Sequence, residues 1–171
     1  TRVDRDGATV WTTTHGANDI VRLALLGDGT LVLAQFDDAI RGIDPETGAE
    51  LWHCADTIAG GLAVGGDGTI FYTAGTRLVS IAPAEPPPSS CPARTSIDLA
   101  TITDYTGGGE DLLVGSDDTV FLNVPWYGPA AVRDNVLVWY EASQGVRKLL
   151  LGAGDRLFLG TDDGRVLELD A

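Results

Sequence analysis

The sequence predicts an all-β chain assembled from repeated four-stranded antiparallel sheets, and three observations carry that prediction. Hairpins that end on tryptophan recur along the chain, and polar turns led by aspartate recur in step with them. No window sustains the i, i+3, i+4, i+7 apolar spacing of an amphipathic helix over three turns. The 22 glycines and 8 prolines in 171 residues suit many short strands joined by tight turns.

The best-formed hairpin is GIDPETGAELWHC, residues 42–54. Asp44 can accept backbone hydrogen bonds in a turn, Pro45 presets φ, and Gly48 can take the positive φ that closes a short loop. A shortened copy near the start, VDRDGATVW, places Asp4, Gly7 and Trp11 in register with Asp44, Gly48 and Trp52. A third, VRDNVLVWYEA, supplies Asp134 and Trp139. Trp11 and Trp52 are 41 residues apart, and Trp52 and Trp139 are 87 apart, close to two further periods. A copy without tryptophan belongs between them, and RTSIDLA at 94–100 is read as that worn version.

The second marker has the same period. GDGTLVLA, GDGTIFYT, SDDTVFLN and GDRLFLG each set a polar turn before a β-rich run, with Asp28, Asp67, Asp117 and Asp155 spaced by 39, 50 and 38. The long middle interval holds the proline-rich insertion APAEPPPSSCPARTS. Another apolar run precedes each marker, so each period carries four strands, A to D, which is the pattern of a β-propeller blade. The chain is thus read as a single propeller module with blades at about 18–55, 56–100, 101–142 and 143–171. The last blade lacks a D strand, and residues 1–14 are its expected donor. The alternative is that both ends are cut points in a longer propeller. The absence of methionine is read as removal of a leader or excision from a longer protein.

GIDPETGAELW resembles the tryptophan motif of the PQQ-type propeller repeat family, A-x-D-x-x-T-G-x-x-x-W. Asp44, Thr47, Gly48 and Trp52 are in register, and Gly42 stands where the family usually has alanine. The resemblance is specific in one blade and architectural elsewhere. It implies that Trp11, Trp52 and Trp139 are structural, each packing between neighbouring blades. Quinoprotein dehydrogenases resemble the chain in their blades, but their calcium site, catalytic aspartate and cofactor-binding loops have no counterpart here. Cofactor-free relatives include outer-membrane assembly scaffolds and extracytoplasmic sensor domains, and the fold alone does not choose among them.

Charge narrows the partners. With 11 Lys and Arg against 25 Asp and Glu, the formal charge is −14. A nucleic-acid partner needs clustered basic residues, and anionic membrane surfaces repel such a chain. No apolar run reaches the ~18 residues of a membrane span. Two cysteines and two histidines without ligand spacing do not make a zinc site. Two readings of Cys54 and Cys91 stand: a disulfide tethering the proline-rich loop in an exported protein, or two unrelated thiols.

Strand alternation sorts the loops onto two faces. The A–B and C–D turns share one face; on the other fall Asp37 and Asp38, Asp162 and Asp163, and the loop PWYGP with Trp126 and Tyr127. That second face is the expected binding face. Prolines stiffen the aromatic pair into a contact platform; the competing reading is that Trp126 folds back to plug the blade or the central channel. The aspartate pairs invite calcium, but DRDG and TDDG lack the further spaced ligands of a calcium loop and are above all hairpin turns. His15, His53 and Ser143 lie in no nucleophile pattern.

The expected function is a non-enzymatic, extracytoplasmic scaffold without cofactor that presents a loop face to an unidentified protein partner. The alternatives are a small-ligand or glycan-binding propeller using Trp126 and Tyr127, and a fragment of a quinone-dependent dehydrogenase. Four blades either close alone, pair with a second copy to make eight, or form half of a longer chain.

Overall fold

The structure, a computed structural model, describes residues 1–14, 19–82, 91, 93–101, 111–124, 127–141 and 145–169. The chain opens on a two-stranded hairpin, β1 (Arg2–Val3) and β2 (Thr9–Trp11). Blade one follows as β3 (Ile20–Leu25), β4 (Leu31–Gln35), β5 (Ala39–Ile43) and β6 (Glu50–Ala55). Blade two comprises β7 (Ile58–Val64), β8 (Ile70–Ala74), β9 (Arg77–Ile81) and β10 (Arg94–Asp98). Blade three comprises β11 (Leu112–Val114), β12 (Val120–Val124), β13 (Gly128–Arg133) and β14 (Val136–Tyr140). Blade four has three strands, β15 (Val146–Leu151), β16 (Leu157–Thr161) and β17 (Val166–Leu169). Every sheet is an antiparallel meander in chain order.

The A–B turns are built by the aspartates that mark the repeat. Asp28 Oδ1 accepts the Thr30 amide at 2.8 Å, Asp67 Oδ1 that of Thr69 at 2.8 Å, and Asp117 Oδ1 that of Thr119 at 3.1 Å. Each carboxylate replaces a backbone acceptor within its turn, which is why the turn needs aspartate there. In the DPETG turn Asp44 Oδ1 accepts the amides of Glu46 (2.7 Å) and Thr47 (3.1 Å), and Gly48 takes φ +75°. Those two N–H donors hold the Asp44 carboxyl below the usual range.

The core lies between the sheets. Val32, Ile40, Trp52 and Cys54 of blade one pack on Ile58, Ile70 and Tyr72 of blade two. Leu78 and Leu99 of blade two meet Leu112, Val120 and Val132 of blade three. Phe121 and Ala131 of blade three meet Leu149, Leu157 and Leu159 of blade four. The A strands β3, β7, β11 and β15 neighbour one another in that order, and among the described residues β15 is not packed against β3 as the successive A strands are against one another, so the described blades form an open arc.

Polar links reinforce two of the seams. In the connection from blade one to blade two, the buried Asp56 carboxylate receives Arg77 (2.8 Å), Arg94 (3.1 Å) and the Tyr72 hydroxyl (3.0 Å) of blade two. Burial, followed by the field of Asp56, pushes the Tyr72 phenol up to about 12. Cys54 and Cys91 form a disulfide with Cα atoms 4.7 Å apart, tying the segment before β10 to blade one. Between blades three and four, Asp155 accepts the Ser116 amide and hydroxyl, and Asp111 accepts Lys148 at 3.0 Å.

One sequence expectation is corrected. Residues 1–14 do not complete blade four: β2 pairs with β1, and among the described residues β17 has no further strand partner. The reason is an anchor at the other end of the arc. Trp11 Nε1 donates to the Pro45 carbonyl at 2.9 Å, Arg2 Nη1 donates to the same oxygen at 2.7 Å, and the Trp11 ring lies over Gly48. These contacts seat the hairpin on the DPETG turn of blade one.

Candidate binding cleft between blades two and three

Register aligns the blades row by row. In blade one the cross-strand row Ala24, Val32, Gly42, Trp52 faces blade two. The equivalent row of blade three, Leu113, Phe121, Ala131, Trp139, faces blade four. In blade two the row reads Ala63, Phe71, Ser80, Thr95. Thr95 occupies the tryptophan position of the motif, and a threonine cannot fill the space an indole covers. A cleft of about 210 Å³ opens at that seam, lined by Phe71 and Ser80 from this row.

The cleft has an apolar floor and an acidic rim. Phe71, Leu78, Val120 and Val132 form the floor, and Asp67, Asp118 and Asp134 stand at the edge with Asn135. A Cβ placed on Gly65 would lie 3.0 Å from Asp67 Oδ1 and 3.3 Å from Asp118 Oδ1, so carboxylates from adjacent blades flank one glycine. The Thr69 amide and hydroxyl hold the Asp67 carboxyl below the usual range. Asp118 and Asp134 have no ion pair among the described residues, whereas Asp117 is paired with Arg133. Ser80 and Thr95 share a hydrogen bond at 2.7 Å, and Thr95 reaches Asn135 at 3.4 Å across the seam.

The rim is conformationally unusual. Asp118, Asp134 and Asn135 have φ of 62°, 52° and 59°, and they are three of the five described non-glycine residues in the left-handed region. Asp118 takes the place that Gly29 and Gly68 hold in the equivalent turns. A side chain there costs on the order of 1 kcal/mol relative to glycine, and it places a carboxylate where the turns of blades one and two have none; Asp155 holds the same position in blade four, with φ 58°.

The residues expected to form the binding face lie at the opposite end of the blades. Asp38 pairs with Arg41 at 3.2 Å, Asp162 pairs with Arg147, and Asp163 pairs with Arg165 at 2.6 Å. Arg165, then the Thr161 hydroxyl, lower Asp163 to about 2. Asp37 has φ 52° and takes part in the loop through its amide, which donates to Ile58 O. Tyr127 is half-buried against the blade-three core, and its carbonyl accepts the Tyr140 hydroxyl at 3.0 Å. Trp126 lies outside the described residues. Among the described residues no three His, Cys, Asp or Glu side chains converge as a metal site.

Of the motif residues, Trp52 is buried over Gly42, and Trp139 sits 6.3 Å from Phe121 between ring centroids. The sequence reading missed Asp118, Asp134 and Asn135 as site residues, and Thr95 as the residue hydrogen-bonded beside them. The signal was present in RTSIDLA: a repeat that loses its packing tryptophan leaves a space at one seam.

No protein-family model matches the chain, and no curated protein sequence matches it. Solved structures do. The chain is similar to virginiamycin B lyase from Staphylococcus aureus, with 16% identity and TM-score 0.66 over 98% of this chain and 61% of that one. BamB from Moraxella catarrhalis matches at 20% identity and TM-score 0.67, over 92% and 48%. The Dos1 propeller matches at 16% identity and TM-score 0.70, over 99% and 47%. The chain thus spans about half to two thirds of the length of these proteins. By sheet topology and by these likenesses, its fold is an arc of β-propeller blades.

Proposed function

We propose that the chain is a non-enzymatic binding module of the PQQ-repeat type, working outside the cytosol, that seats an extended segment of a protein partner in the cleft between blades two and three. The segment carries a Lys or Arg beside an apolar side chain. The observation behind this reading is the cleft itself: Thr95 in the tryptophan position leaves an apolar floor open, and Asp118 and Asp134 at its rim have no ion pair among the described residues. Carboxylates without a neighbouring cation favour a cationic side chain, and the overall charge of −14 adds to that attraction. The Cys54–Cys91 disulfide supports an oxidising compartment.

Calorimetric titration with short synthetic peptides that pair Arg or Lys with Leu, Val or Phe tests the reading. Binding should weaken in high salt, fall at least about tenfold in Asp118→Asn/Asp134→Asn, and vanish in Ser80→Gly/Thr95→Trp, which fills the cleft. Peptides that bind the filled variant as well as the parent, or that bind neither, rule the reading out.

A further inference from the structure

The cleft between blades two and three is a tryptophan site without its tryptophan. Phe71, Leu78 and Ser80 hold the register positions of Val32, Ile40 and Gly42 in blade one, and Val120 and Val132 hold those of Ile70 and Ile81 in blade two. Val32, Ile40, Ile70 and Ile81 are packed in one core with the Trp52 indole at the first seam, where the ring also covers Gly42. The cleft thus reproduces that packing site position by position, with Thr95 where Trp52 stands.

The other motif tryptophans show how an indole sits in such a place. The Trp11 ring rests on the C–D turn of blade one, and its Nε1 donates to the Pro45 carbonyl at 2.9 Å. At the second seam the C–D turn of blade three is Asp134–Asn135, and Thr95 already reaches Asn135 Oδ1 at 3.4 Å. Trp139 lies 6.3 Å from Phe121 between ring centroids, tilted by 46°, opposite Ala131. Phe71 occupies the Phe121 position, and Ser80 that of Ala131. An indole in the cleft therefore has an aromatic neighbour, an aliphatic wall from blade three and a turn with acceptors for its N–H. A ring that arrives from outside is not tethered at position 95, so it stands clear of Ser80 as the tilted Trp139 stands clear of Ala131.

Building on the binding role proposed above, we infer that the apolar side chain the partner inserts is tryptophan, which supplies the missing motif residue from a second protein. Its ring packs on Phe71, Val120 and Val132, and its N–H donates to the Asp134–Asn135 turn. The Lys or Arg beside it lies against Asp118 and Asp134 at the rim. A volume of about 210 Å³ is below the ~300 to 1,000 Å³ of small-molecule sites, which suits one inserted side chain better than a whole soluble ligand. Tryptophan also buries a large area for two lost rotors, the usual character of a binding anchor.

Calorimetric titration with a matched set of short peptides, alike except for tryptophan, 1-methyltryptophan, phenylalanine or leucine beside an arginine, tests the inference. The tryptophan peptide should bind at least about tenfold more tightly than the leucine peptide and several-fold more tightly than the phenylalanine one. Methylating the indole nitrogen removes the donor and should weaken binding about fivefold. Nuclear Overhauser contacts should run from the peptide indole to the methyls of Val120 and Val132, and Ser80→Gly/Thr95→Trp should erase both the contacts and the preference. A tryptophan peptide that binds no more tightly than the leucine, phenylalanine or methylated one, or whose ring makes no contact with those methyls, overturns the inference. Leucine and phenylalanine peptides that bind the parent and not the filled variant would in that case leave the binding role standing, whereas a set in which nothing binds defeats both.

Discussion

The indole Nε1 of Trp11 donates to the carbonyl oxygen of Pro45 at 2.9 Å, joining a hairpin at the start of the chain to a turn 34 residues later. The same ring would lie 2.8 Å from a Cβ at position 48, where Gly48 has φ +75°. One tryptophan therefore reads both the carbonyl and the glycine of the DPETG turn. Trp11→Phe should lose about 1 kcal/mol through the missing hydrogen bond, and Gly48→Ala about 2 kcal/mol through strain and collision. Faster amide hydrogen exchange across residues 2–11, with the blade cores unchanged, is the expected signature.

Gly42 answers to a different tryptophan. A Cβ there would stand 2.3 Å from Nε1 and Cε2 of Trp52, which is buried. In blade three Ala131 is tolerated opposite Trp139, whose ring is tilted against Phe121 and only half-buried. Gly42→Ala should cost about 1 to 3 kcal/mol in urea unfolding, because a buried indole has nowhere to move.

The cleft predicts a stabilising exchange. Restoring the motif with Ser80→Gly/Thr95→Trp buries an aromatic ring on Phe71, Val120 and Val132, and it should raise stability by about 1 to 2 kcal/mol. Thermal unfolding measures it, and Thr95→Trp alone should gain less because the Ser80 side chain obstructs the ring.

Tyr72 couples the first seam to alkaline pH. Its folded value near 12 lies above the 10.0 of a free phenol, so its contribution is complete below about pH 10 and is lost as pH rises toward 12. Tyrosinate absorbance should show one phenol ionising near 12, coincident with loosening of the blade-one to blade-two contact. Asp56→Asn should lower that value, since the carboxylate field that opposes ionisation is gone, and should destabilise the protein by about 2 kcal/mol by leaving Arg77 and Arg94 without their buried partner.

Reduction of Cys54–Cys91 opens a loop of 37 residues and should cost roughly 3 to 4 kcal/mol in the chain-entropy account. Paired urea titrations with and without reductant measure the difference. The loss should concentrate at the seam between blades one and two, where Cys54 is part of the core.

The blade pattern was legible in the sequence because turns and strands are local. Asp28, Asp67 and Asp117 close hairpins with amides two residues away, and Gly48 supplies the positive φ expected of it. The repeat of these signals specifies four sheets before any long-range contact is known. What lies between the sheets was decided only in three dimensions, since packing across a seam joins residues about 40 positions apart with no periodic signature of their own. The N-terminal strand follows that rule: its composition marks it as a D strand, but its place beside blade one depends on where the Trp11 indole finds a carbonyl and a glycine. The cleft follows it too. RTSIDLA revealed that a tryptophan was missing, and only the packed rows of blades two and three turned that loss into an opening, because the cost of an unfilled indole site exists only once a neighbouring sheet is there to leave it empty.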